Sequence, residues 1–553
     1  MNHTHEHHPH SGEPFATDTA GLPEAIQSQV LDLDDGDSVE LRIAPVVKRI
    51  GDAEVRMLAY NGSVPGPTLR IHEGSEVAVE VANDGDLEAT VHWHGLRLDN
   101  RYDGTHETQA PIPIGGTFLY RIEFPDPGVY WYHPHIREDY GQELGLYGNI
   151  LVVPTEPDYW PPAHREVPLT LDDVLIEDGT IAPFSRSETT YAAMGRFGNV
   201  LLVGGETALT LQAQAGEVVR FYLTNTANTR VFNVTLPGAR IKLVGGDSGR
   251  YEREQFVDSV VLAPSERAVI DVLFEHPGRL TLEHRTPERT HALASIDVSA
   301  EPASPSLVTQ FDNLRHNSEW AAERERLAAY FDASPDKTLA LVAEMDMGTP
   351  EGPVVYACPM HPDVVSDSPD RCPKCGMKLL PADLVAQASS HGEHAHHDTS
   401  HEHEHRAGHE HDTAADGIEW EDDMVDVNRL TTPANTRWNL IDRATGDVNH
   451  AIDWKFRVGD KVKLRLVNEM DSDHPMHHPF HIHGAGRFVV LARDDVPEEN
   501  VVWKDTVLVR AGETVDILLD VTNPGVWMAH CHIAEHHESG MMFSFTVAPP
   551  DGD

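Results

Sequence analysis

The chain has 553 residues, 40% of them hydrophobic, and a formal charge of −48 at pH 7. That length predicts several domains at ~100–200 residues each, and the acidity argues against nucleic acid or an anionic membrane as partner while suiting solubility in high salt or the attraction of cations. No run approaches the ~20 consecutive apolar residues of a membrane-spanning helix.

In chain order, residues 1–36 read as an N-terminal tail carrying His3, His5, His7, His8 and His10. The tail has neither the basic and apolar regions of an export signal nor a twin-arginine pair, so a cytoplasmic location is expected. Three later segments share one pattern: Thr68–Asn83 around Gly74, Leu211–Asn225 around Gly216 and Lys455–Asn468 around Gly459. Each alternates apolar and polar residues, turns at the glycine and closes on asparagine, the period of two that marks half-buried strands. A second repeat starts at Pro127-Gly128, Pro277-Gly278 and Pro524-Gly525. Six residues after each proline begin His133-Pro134-His135, Glu283-His284-Arg285 and His530-Cys531-His532. These repeats predict three homologous β-sandwich domains at 37–158, 159–303 and 336–549, the middle one stripped of metal-binding residues.

Between the second and third domains, residues 304–335 read as a linker with a short helix over Ser318–Phe331, N-capped by Ser318. Lys337–Ala343 then reads as the first strand of domain three. It is cut off from the rest by an insert, residues 350–417, too long for an ordinary loop. In the insert, Cys372-Pro-Lys-Cys375 offers two thiolates, and Cys358 and His361 complete a tetrahedral set of structural-zinc type. The nearby Met360 and Met377 favour Cu(I) instead, so zinc and copper are both expected metals. The segment resembles the small heavy-metal-binding module appended to copper-efflux pumps. Beyond it, His391, His394, His396, His397, His401, His403, His405, His409 and His411 alternate with acids and alanines, a composition expected to stay unpacked and to collect divalent metals weakly. Cys358, Cys372 and Cys375 with Cys531 are the chain's four cysteines, all in metal-type motifs, so no disulfide framework is expected.

The most informative stretch is His530-Cys531-His532 with His536 and Met541 beyond it. In a strand, successive side chains point to opposite faces, so Cys531 faces away from His530 and His532. The thiolate, His536, Met541 and an upstream histidine at His478 supply the His2Cys-plus-axial-Met set of a blue, electron-transfer copper. His92-Trp93-His94, His133-Pro134-His135 and His481-Ile482-His483 repeat the paired-imidazole spacing, and with His530 and His532 make eight imidazoles, enough for three metal ions.

On those four motifs the chain resembles the multicopper oxidase family, the laccases and bacterial copper-resistance oxidases. The resemblance implies an all-β fold of three cupredoxin-like Greek-key β-sandwiches, with the metal-binding insert in the third. It implies four copper ions: a type 1 copper near the surface of domain three on His478, Cys531, His536 and Met541, a type 2 copper on His92 and His481, and a type 3 pair on His94, His133, His135, His483, His530 and His532. It also implies one-electron oxidation of phenols, aromatic amines or Cu(I), coupled to four-electron reduction of dioxygen to water. The two-domain copper nitrite reductases share part of this fold but lack the paired histidines. Asp103 falls where the family places a proton-shuttling aspartate, and equally suits a turn before glycine. Where bacterial relatives carry a glutamate after the second type 1 histidine this chain has His537, which leaves Glu538 or Glu535 as the other proton donor. Methionine-rich segments typical of cuprous oxidases are absent. A copper store or chaperone without turnover is the competing function. Nothing in the sequence specifies an oligomeric state.

Overall fold

In the computed structural model the described residues are 14–348, 354–361, 363–386 and 416–550. Both histidine tracts lie outside them. The fold is a succession of three sandwiches, each built from two sheets that share one apolar core. In the first, the sheet carrying histidines runs Val30–Leu33, Thr68–His72, Gly148–Val153, Gly128–His133, His92–His94 in spatial order. In the third, the corresponding order is Lys455–Arg457, Met542–Ala548, Gly525–Cys531, His478–Ile482, Thr506–Val509.

The glycine repeats have a specific structural meaning. Thr68–His72 pairs with Gly148–Val153, whereas Glu76–Asn83 pairs with Ser38–Ile50 and Thr117–Glu123 in the other sheet. Lys455–Arg457 and Lys461–Asn468 divide between sheets in the same way. Each glycine turn therefore carries the chain across its sandwich, and the alternating residues on either side give both sheets their inward faces.

Two expectations are corrected. Val30–Leu33 pairs in parallel with Thr68–His72, and Phe15 stacks on Tyr140 at 3.7 Å, so the first domain gathers in residues assigned to the tail. The helix spans Glu319–Phe331, but Ser318 already has helical backbone angles (φ −65°, ψ −27°) and makes no capping bond; a cap needs an extended residue whose oxygen reaches back to the first turn. Instead, the burial of Trp320 and Leu327 against Val489, Leu491, Val501 and Leu518 fixes this helix to domain three. The strand Lys337–Met345 does join domain three, between Thr436–Asp442 and Lys461–Asn468. No helix among the described residues is long and apolar enough to cross a membrane.

Candidate metal centres

The strand Gly525–Cys531 pairs antiparallel with His478–Ile482, setting Phe480 opposite Cys531 and His481 opposite His530. Directly opposed residues share a face, so one face carries His478 and Cys531 and the other carries His481 and His530. On the first face, Cys531 Sγ lies 3.5 Å from His478 Nδ1 and 3.8 Å from His536 Nδ1, and the two nitrogens are 3.4 Å apart. Ligands ~2 Å from one ion in a trigonal plane stand about 3.5 Å apart, so this triangle fits a metal. Met541 is bracketed by both ligands: its N–H donates to the His536 carbonyl (3.0 Å), its carbonyl accepts from the Cys531 N–H (3.1 Å), and its side chain is buried in the same core as Cys531. Burial pushes the Cys531 thiol up, so a thiolate persists here only beside a compensating cation.

The ligands of this site are closed off from solvent. His478 and His536 are 1% and 0% exposed. Trp438 stacks on His536 at 4.0 Å and meets His478 edge-on at 4.8 Å, and the middle domain contributes Ala193, whose carbonyl lies 3.3 Å from His536 Nε2. The next residue, Met194, presents its sulfur 3.0 Å from Nε2 of the buried His474. Met345, Met377, Met424 and Met476, from four separate stretches of chain, share that apolar cluster. Methionines absent as a run in the sequence thus share one core.

On the other face, eight imidazoles meet between the first and third domains. His92 pairs across the strands with His133, and donor atoms group as His94, His133 and His532, as His135, His483 and His530, and as His92, His94 and His481, each set within 4.8 Å. Most rings are anchored through one nitrogen. Nδ1 of His92 meets the Asp103 carbonyl (2.7 Å), that of His483 the Asp103 carboxylate (2.9 Å), that of His481 the Asp505 carbonyl (2.9 Å), that of His133 the Pro134 carbonyl (2.9 Å) and that of His530 the Cys531 carbonyl (2.9 Å). His94 is held through Nε2, by Asp505 (3.0 Å) and Thr506 (3.1 Å). The opposite nitrogens of His92, His94, His133 and His481, and both of His532, are buried without a hydrogen-bond partner among the described residues. One anchored nitrogen and one free is how metal-binding histidines are arranged. Burial also holds His94, His133, His135, His483, His530 and His532 well below the ordinary imidazole range, which keeps them neutral and ready as ligands.

Asp103 caps a single turn, Asn100–Tyr102, and is 1% exposed. Gly104 follows at φ +81°, where a side chain would strike the Val91 carbonyl; the tight pass presses Asp103 against His92 and His483. Glu538 does not face the histidines: its Oε1 accepts the N–H of Glu138 (3.1 Å). Glu138 itself lies 3.3 Å from His135 Nε2 and 3.5 Å from His537 Nδ1, and its burial raises its carboxyl well above the usual range. Sequence reasoning missed it, although an acid three residues after His135 was the available signal. Glu535 turns to Asn228 and Thr229 of the middle domain, both at 3.3 Å. Burial pushes Glu535 up to about 7 and Glu538 up to about 8.

In the insert, short strands Val365–Ser366, Tyr356–Ala357 and Leu380–Pro381 form a small sheet. His361 Nδ1 is 3.6 Å from both Cys358 and Cys372, and Cys358 is 3.7 Å from Cys375. A 2.3 Å metal–sulfur bond sets tetrahedral edges of about 3.8 Å, so these four residues also fit an ion. Hydrogen bonding from the Cys375 thiol pulls Cys358 toward the thiolate. The module sits on the segment leading to His478: Lys378 bonds Asp473 through backbone (2.8 Å) and side chain (3.1 Å), and Arg371 reaches Asp471 (3.2 Å) and the Ser472 carbonyl.

A buried sulfur–imidazole triangle joined through adjacent residues to a nest of imidazoles is the donor arrangement of a copper-binding oxidoreductase. Residues 45–157 and 421–551 match the family described as multicopper oxidase, and residues 355–382 match the heavy metal binding domain. The chain is 26% identical to multicopper oxidase MmcO of Mycobacterium tuberculosis, over 96% of this chain and 92% of that one. It is 24% identical to a putative laccase-1 of Oryza sativa subsp. japonica, over 89% and 88%. Its fold is that of the multicopper oxidase from Campylobacter jejuni, described as a metallo-oxidase: 20% identity, TM-score 0.62, covering 96% and 98%. The chain belongs to the multicopper oxidase family and carries a heavy-metal-binding module inserted in its third cupredoxin-like domain.

Proposed function

We propose that the chain is an oxidase taking electrons one at a time from Cu(I), and also from phenols and aromatic amines, and reducing dioxygen by four electrons to water, with a part in copper tolerance. One copper is assigned to His478, Cys531, His536 and Met541, one to His92 and His481, and a pair to His94, His133, His135, His483, His530 and His532. Bound copper supplies one-electron redox chemistry at the first site and dioxygen chemistry at the other three. The protein supplies the connection: Cys531 is bonded through backbone to His530 and His532, and its carbonyl accepts from His530 Nδ1. It also supplies protons. Glu138, beside His135, is held toward the neutral acid by burial and has Glu538, raised in the same way, bonded to its backbone N–H, whereas Asp103 is committed to orienting His92 and His483.

The observation that carries the Cu(I) reading is the contact between Met194 Sδ and His474 Nε2 beside the Cys531 site. A thioether and a neutral imidazole suit Cu(I), and the module's Met360 and Cys375 pack against the same apolar cluster that holds Met194. Sealing of His478 and His536 from solvent disfavours bulky donors relative to a bare ion. Met194→Leu tests this: kcat/KM for Cu(I) falls about tenfold or more, equivalent to ~1.4 kcal/mol, while kcat/KM for a substituted phenol is unchanged. Equal changes for both donors refute it. Absence of oxygen uptake with either donor points to a copper store instead.

A further inference from the structure

The middle domain carries none of the assigned copper ligands, yet one of its side chains grips the residue that holds two of the cluster histidines. Arg267 is buried and spends its guanidinium on all three domains. Its Nε donates to the Val129 carbonyl in domain one (3.0 Å), and its Nη1 to the Ser265 carbonyl in domain two (2.8 Å). In domain three both terminal nitrogens grip Asp505, Nη1 to Oδ1 at 2.7 Å and Nη2 to Oδ2 at 2.5 Å. Asp505 in turn holds two cluster rings, His94 Nε2 through its carboxylate and His481 Nδ1 through its carbonyl.

The pair is built into its surroundings. The neighbouring residues repeat it with signs reversed: Lys504 meets Glu266 at 3.2 Å and the buried Asp247 at 3.1 Å, and Asp247 accepts the backbone N–H of Arg267. Gly95, directly after His94, has φ +84°; a Cβ there would lie 2.5 Å from Asp505 Oδ2 and 2.7 Å from Arg267 Nη2. The glycine in His92-Trp93-His94-Gly95 thus makes room for this ion pair. A planar fork fixes both carboxylate oxygens at once, which a lysine cannot do.

We infer that Arg267 is a positioning residue of the histidine cluster, orienting His94 and His481 through Asp505 and tying the ligand-free domain to the copper chemistry. The inference rests on the assignment of copper to those histidines. The test uses the copper-loaded full chain of Arg267→Lys, Gly95→Ala (which keeps both charges and intrudes on the pair) and Arg220→Lys as control. Arg220 makes a similar buried fork with Asp271 inside the middle domain. The readouts are the type 2 electron paramagnetic resonance spectrum, copper retained against a chelator, and the blue absorption of the Cys531 site as internal reference. Arg267→Lys and Gly95→Ala should shift the type 2 spectrum and lose cluster copper about 10–100-fold more readily with blue absorption unchanged, while Arg220→Lys leaves the type 2 spectrum as in wild type. The inference is overturned if Arg267→Lys keeps the wild-type spectrum and retention, or if Arg220→Lys perturbs them equally. A wild-type protein with no type 2 signal would instead overturn the assignment of copper to the histidines.

Discussion

Replacing Asp103 separates its two attachments to the cluster. In Asp103→Ala the backbone carbonyl still accepts from His92 Nδ1 at 2.7 Å, but His483 Nδ1 loses the carboxylate that accepts from it at 2.9 Å. Both groups are buried, so the stranded donor costs about 1–3 kcal/mol, and loss of such a supporting bond weakens metal affinity about 10–100-fold. The loss should fall on the set His135, His483 and His530, which shares that ring. Asp103→Asn keeps an oxygen facing His483 and removes only the charge, so it should cost less than about tenfold. Copper bound per chain under graded chelator competition measures both variants, with the blue absorption of the Cys531 site as reference. Wild-type copper retention by Asp103→Ala would refute the positioning role.

Two further outcomes are expected. Cys372→Ser with Cys375→Ser removes the module's metal, and so short a segment has too little core to stay folded without one. Protease cleavage should appear within residues 355–382 by mass mapping, with the blue absorption retained. In the middle domain, burial, with Arg230 and His291 adding, lowers His284 to about 3. For a histidine so depressed, the stabilising contribution is complete above the ordinary pKa near 6.5 and is lost as pH falls toward 3, amounting to about 3 kcal/mol by pH 4. His284→Asn in copper-free protein should therefore flatten the fall in thermal midpoint between pH 6.5 and 4.

The ligand motifs were legible because a strand turns sequence spacing into geometry. Two residues apart means one face, so His92 with His94, His481 with His483, and Cys531 against its neighbours could be read without coordinates. Gly74, Gly216 and Gly459 disclosed the repeat for the same reason, although not that each turn crosses between sheets. What stayed hidden was tertiary. Asp505 and Arg267 are 238 residues apart and meet only through domain packing. Met194 and His474 come from different domains, and burial of the Cys531 site depends on Ala193 and Trp438, which no local pattern marks. Glu138 was hidden differently: it lies three residues after His135, but only the fold brings its carboxylate to 3.3 Å from that ring and 3.5 Å from His537. Ser318 failed as a cap because packing of Trp320 and Leu327, rather than its hydroxyl, decides where that helix begins.

The most direct measurement is the absorption and electron paramagnetic resonance spectrum of the copper-loaded protein beside Cys531→Ser. An intense blue thiolate–copper band with a separate type 2 signal is predicted for the wild type, and in Cys531→Ser only the band should vanish. A colourless wild-type protein, or a blue band that survives the loss of this sulfur, contradicts the account.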